Sequence, residues 1–139
     1  MPTPDVQRHQ LIRQTILAQP DAIVAVTMKL WLGLAHELVP IIGELGFQSL
    51  FARSCHLARR VHPWLRASSS QDRIEIHFAD LQGSLQDRAD EEAGEASILL
   101  LITLIDIIAT LIGELLTSSI LRSAWSNAQS NQAGKEPQQ

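Results

Sequence analysis

The stretch Ser97–Trp125 constrains this chain more than any other. It reads SILLLITLIDIIATLIGELLTSSILRSAW, has no proline, and holds Gly113 as its one glycine. Leu and Ile fill most positions, so the spacing predicts one long helix. A helix this apolar must be a bundle centre, a subunit interface or a membrane span. Its exceptions are regular. Thr103, Asp106, Thr110, Gly113 and Thr117 recur at intervals of three and four and line one narrow face, with Glu114 at its edge.

Composition narrows the class. The 139 residues correspond to one domain with enough chain for a real core. Aromatics are sparse, with three Phe, three Trp and no Tyr, and β-branched alternation is nearly absent, which points to an all-α fold. The net charge of −4 disfavours general nucleic-acid binding. The one basic patch is Arg53, Arg59, Arg60 and Arg66, interleaved with His56 and His62. Cations gathered at a helix C-terminus, suiting the dipole, explain it most simply; a patch for an acidic partner is the alternative. A single cysteine, Cys55, permits no intrachain disulfide and suits a reducing compartment. No signal-peptide pattern opens the chain, so a cytoplasmic location is expected.

Along the chain, Asp5 is positioned to cap a helix over Val6–Ala18, and Pro20 opens the next helix, from about Asp21 to Leu38. Pro40 interrupts it, and helix resumes to about Val61. Residues 67–71, ASSSQ, read as a linker. Ile74, Phe78, Leu81 and Leu85 then form one clean stripe on a helix from about Asp72 to Asp90. Glu91, Glu92 and Glu95 suit the positive end of the last long helix. The expected organisation is one helical-bundle domain over 1–126 and a disordered polar tail over 127–139.

An internal repeat runs through this pattern. Ile41–Leu50, IIGELGFQSL, resembles Leu111–Ile120, LIGELLTSSI, at an offset of 70 residues. Ile42, Gly43, Glu44, Leu45 and Ser49 recur as Ile112, Gly113, Glu114, Leu115 and Ser119. Farther back, His36 aligns with Asp106 and Pro40 with Thr110. Chance similarity between Leu-rich helices competes with true duplication. In either case the small glycine permits close helix approach, and the adjoining glutamate needs a partner or water.

Chemical motifs are weak. Ala35-His36-Glu37-Leu38, followed by Leu45-Gly46, resembles the histidine phosphotransfer domains of bacterial phosphorelays, in which an exposed helical His carries the phosphoryl group. The resemblance implies phosphotransfer at His36. However, Val39 and Pro40 replace the Lys and the small Gly that the family places three and four residues after its histidine. A carboxylate–histidine metal site from His36, Glu44, Asp106 and Glu114 lacks any Glu-x-x-His pair, and His36 and Glu44 stand about 12 Å apart along a helix. Cys55-His56 with His62 lacks paired ligand spacing. Neither a metal nor another cofactor is expected, and no nucleophile–base pair or phosphate loop supports an enzyme.

The stretches 41–65, IIGELGFQSLFARSCHLARRVHPWL, and 111–125, LIGELLTSSILRSAW, resemble a family of small bacterial proteins that accompany signalling genes such as those of sensor kinases. That resemblance implies a regulatory or adaptor role and carries no catalytic residue.

The reading is therefore an all-α bundle of four to five helices with two long central helices, its 70-residue match being either an internal duplication or a chance likeness of Leu-rich helices. It is expected to act as a non-enzymatic interaction module in bacterial signalling. The partners expected are a second copy, in a homodimer burying part of Ile98–Leu116, and a signalling protein, with no nucleic acid. A histidine phosphotransfer-like protein using His36 and a small membrane protein anchored by 97–116 are the alternatives. His36, Glu44, Asp106 and Glu114 are expected to form a buried polar network that sets helix register or partner choice.

Overall fold

The computed structural model describes residues 4–66 and 73–133. It is all α, with no strand among the described residues. Helix α1 is Pro4–Leu17, a 3-10 turn covers Pro20–Ala22, α2 is Ile23–Ala58, α3 is Ile74–Gln86, α4 is Asp90–Ile112 and α5 is Glu114–Ala133. The linker expected at 67–71 lies outside the described residues, as does 134–139. The expected disorder from 127 is corrected as far as Ala133, to which α5 runs.

Two breaks differ from expectation, and both fall at glycine. Helix α2 passes through Pro40 and breaks at Gly43, with φ 85° and ψ 161°. The amide that Pro40 lacks would have bonded the carbonyl of His36. His36 is exposed, so the missing bond falls at the surface of the helix. The apolar stretch from Ser97 is not one helix either. It ends at Gly113, with φ 95° and ψ 162°, and α5 starts at the next residue. This backbone region is essentially reserved for glycine. The Gly113 amide donates to the Ala109 carbonyl, and the Gly113 carbonyl accepts from both the amide and the hydroxyl of Thr117. The chain thus changes direction within one residue, with the Gly113 amide closing one helix and its carbonyl opening the next.

At Gly43 the chain folds onto itself. The rings of Trp31 and Phe51 have centroids 4.8 Å apart, whereas a straight helix would separate these residues by about 30 Å. Phe78 of α3 closes the cluster, 5.5 Å from Phe51 and 6.1 Å from both Phe47 and Trp31. All three phenylalanines therefore sit in one aromatic core between α3 and the two arms of α2.

Contacts at two other glycines orient the rest. Gly94 lies against Leu17 and Ile23, so the N-terminal ends of α2 and α4 sit together. At Gly33 a Cβ would stand 2.9 Å from the Ala124 carbonyl oxygen, so α5 crosses the middle of the first α2 arm. Gly94 to Gly113 spans about 28 Å of helix, Gly113 to Ala124 about 16 Å, and Ile23 to Gly33 about 15 Å. These lengths close only if α5 folds back along α4 while the first arm of α2 runs beside α4 in the same direction. Both glycine corners therefore lie at one end of the bundle.

The 70-residue repeat extends through the whole architecture. Helix α1 corresponds to α3, the first arm of α2 (23–42) to α4, and the second arm (44–58) to α5. Buried positions repeat in step as Ile23 and Ala93, Thr27 and Ser97, Leu30 and Leu100, Leu34 and Leu104, and Leu38 and Ile108. Their spacing of four, three, four and four is the seam of two packed helices. The halves interlock, because α1 packs mainly on α4 and α3 mainly on α2. Two helical stretches, Pro20–Ala58 and Asp90–Ile112, are long and apolar enough to cross a membrane, and 39% and 44% of their most apolar windows are buried within the chain itself.

Candidate functional site

Helix α1 brings a cation to the corner end. Arg8 lies on the same stripe as Ile12 and Ile16, which are fully buried, and only 6% of its own side chain is exposed. Its guanidinium donates to Glu114 through Nη1, and to Asp106 and Asp5 through Nη2, each of these at 3.0 Å. His9 adds its Nε2 at 3.1 Å from both Asp106 oxygens. Ser118 donates to Glu114 at 3.4 Å. Burial works against the charge on Arg8, but the hydrogen bonds and fields of Glu114 and Asp106 outweigh it and raise its pKa. Arg8 stays protonated at any pH at which the protein folds.

Of the four residues expected to form a buried network, the structure joins Asp106 and Glu114 through Arg8. His36 and Glu44 do not join it: both are exposed, with no polar side-chain partner among the described residues. The repeat supplies the reason. Phe78 occupies the position in the second half that Arg8 holds in the first, so Glu44, the counterpart of Glu114, has no guanidinium opposite it and stays exposed. The network is also only half buried, since Asp106 and Glu114 are 42% and 33% exposed. Arg8 and His9 escaped the sequence reading. The available signal was an arginine four residues before Ile12 and eight before Ile16, a charge placed on an apolar stripe.

The threonines of the expected stripe satisfy themselves. Thr103, Thr110 and Thr117 each donate to the carbonyl four residues earlier, at 2.7, 3.0 and 2.7 Å. Beside Thr110 an open recess of about 250 Å³ is lined by Asp5, Arg8, Asp106, Ala109, Thr110 and Glu114. Its carboxylates outnumber its guanidinium. Among the described residues no group of three or more His, Cys, Asp or Glu is arranged to hold a metal ion, and here the Arg8 guanidinium stands at the centre of the carboxylates.

The basic patch divides. Arg53, Arg59 and Arg60 are exposed around the C-terminal end of α2, without an ion pair among the described residues. Arg66 turns to α3, where it lies 3.7 Å from Asp87 and its amide bonds the Ser84 hydroxyl. Cys55 is buried, which pushes its thiol pKa up to about 12 and keeps it protonated and unreactive near neutral pH.

The corner end carries a second feature. Ile41 and its counterpart Leu111 are 50% and 64% exposed, and Leu45 and Leu115 are 75% and 88% exposed. Val6 and Ile76, also counterparts, are exposed in the first turns of α1 and α3. Those turns face the same end, because Arg8 reaches Glu114 and Phe78 reaches Phe47. Three repeat-related apolar pairs thus stand in water together. No family model matches the chain, and neither a curated protein nor a solved structure matches it.

Proposed function

We propose that this protein is a non-enzymatic helical interaction module that works through its glycine-corner end. The exposed apolar pairs Ile41 and Leu111, and Leu45 and Leu115, carry this reading. A single exposed leucine needs no explanation, but a contiguous exposed apolar patch marks an interaction surface. Ile41 and Leu45 flank Gly43, and Leu111 and Leu115 flank Gly113, the two glycines at which the helices turn. Of the apolar residues expected to form a dimer along Ile98–Leu116, Ile98, Leu100, Leu101, Leu104, Ile105 and Ile108 are buried inside the chain, Leu99, Ile102 and Ile112 are partly buried, and Leu111, Leu115 and Leu116 are exposed. The exposed ones all stand within three residues of Gly113.

Photocrosslinking in cells tests the reading. A photoreactive residue at Leu45 or Leu115 should form adducts, whereas one at Leu32, an exposed leucine eleven residues before Gly43, should not. Adducts at Leu32 alone, or at none of the three, would overturn it. A homodimer closed through this same end is the second reading, because each copy would offer the other the same exposed leucines. Light scattering would then give twice the chain mass for wild type and the chain mass for Leu45→Ser with Leu115→Ser.

A further inference from the structure

Building on that reading, we infer that the corner end receives a cationic amphipathic helix from a partner protein, with apolar side chains on Leu45, Leu111 and Leu115 and a Lys or Arg in the recess beside Thr110.

Charge decides the chemistry of the occupant. The apolar pairs are bordered by Glu44, which is exposed and unpaired, and by Asp5, Asp106 and Glu114. The nearest cation, Arg8, is buried and bonded to three carboxylates, so it offers nothing to an incoming group. His9 is engaged with Asp106 as well. Arg73, just before α3, lies 3.9 Å from Glu75, and Arg122 lines a second recess of about 180 Å³ that shares Arg8 and Glu114 with the first but not Asp5, Asp106 or Thr110. The surface is thus apolar at its centre and negative at its rim. Carboxylate oxygens of Asp5, Asp106 and Glu114 converge on the larger recess together with the Thr110 hydroxyl, so acceptors are in excess there. A primary ammonium or guanidinium on a long aliphatic stem matches that excess and can lay its stem along Leu111.

The same charges argue against the other occupants. Two copies meeting end to end would bring Glu44 and Asp5 of each against the acidic rim of the other, and like charges across an interface are unfavourable. An anionic lipid surface would be repelled by the same rim. An amphipathic helix seats apolar residues in a patch of this kind by its i, i+3, i+4 anchors, and cationic flanks complete the match.

The full chain would be titrated with a short fluorescent peptide of Leu and Lys patterned as an amphipathic helix, and with the same peptide carrying Glu for Lys, followed by anisotropy. The Lys peptide should bind at least about tenfold tighter than the Glu peptide, and less tightly as salt rises. Leu45→Ser with Leu115→Ser should weaken it about tenfold or more, and Glu44→Gln with Asp5→Asn should do so several-fold, without change in the circular dichroism. Equal binding of both peptides, or undiminished binding by the leucine variant, overturns the inference. So does wild-type dimerisation that the leucine variant abolishes, or leucine-dependent binding to phosphatidylserine vesicles in preference to the Lys peptide. Crosslinks at Leu45 and Leu115 together with failure of the Lys peptide would leave the interaction module standing and refute only the cationic partner.

Discussion

Glu44 and Glu114 occupy the same place in the two repeats and have different neighbours. Glu114 accepts from Arg8 and Ser118, and Glu44 faces water. Truncating Glu114 leaves Arg8 buried with less to neutralise it. The charge is shared with Asp106 and Asp5, and Glu114 is one-third exposed, so solvent screening trims the loss. Glu114→Ala should therefore destabilise by about 1–2 kcal/mol, and Glu44→Ala by less than about 0.5 kcal/mol, in urea unfolding. Equal effects would mean that Arg8 does not distinguish the two corners. Arg8 itself is a positioning residue: it holds the N-terminal half of α1 against the C-terminal end of α4, the task that Phe78 performs with apolar contacts in the other half.

At the scale of elements, the two glycine corners decide the fold. A Cβ at Gly43 or Gly113 would meet nothing within 4 Å, so any cost of substitution is conformational rather than steric. Gly43→Ala and Gly113→Ala should each destabilise by about 1–3 kcal/mol, from forcing a side chain into this backbone region. Gly33 differs. Its backbone is helical, and alanine there gains helix propensity but drives a methyl to 2.9 Å from the Ala124 carbonyl oxygen. Thermal unfolding of the three variants separates the causes: D-alanine, introduced by chemical synthesis, should be tolerated at Gly43 and Gly113 and not at Gly33. A loss at the corners that D-alanine does not relieve would contradict the conformational account.

At the scale of the molecule, the repeats are exchanged rather than adjacent. Helix α1 covers α4 and α3 covers α2, so each half lacks the helix that shields its own apolar seam. Leu30 and Leu34 in one half and Leu100 and Leu104 in the other are buried together in a single core. Neither residues 1–70 nor residues 71–139 should fold alone, and the intact chain should unfold in one transition. Circular dichroism of the separate halves checks this. A half that melts cooperatively by itself would show two independent units instead of one.

The sequence by itself determined the helical class, the stripe of Ile74, Phe78, Leu81 and Leu85, and the match of Gly43-Glu44-Leu45 to Gly113-Glu114-Leu115, because periodicity and repetition are local properties of the chain. It misplaced the breaks. Pro40 was the conspicuous interruption, yet a proline near the end of an arm leaves only one carbonyl at the helix surface without a donor, whereas a glycine gives no local sign of whether its φ is positive. Half of the expected polar network was legible, in Asp106 and Glu114. His36 and Glu44 fell away, and Arg8 entered, because a charge finds its partner across a helix interface about a hundred residues distant in sequence. Only the tertiary structure decided which leucines stay in water. Leu101 and Leu115 are equivalent by composition, but one lies in the seam between helices and the other on the outside of a corner, where no helix among the described residues covers it.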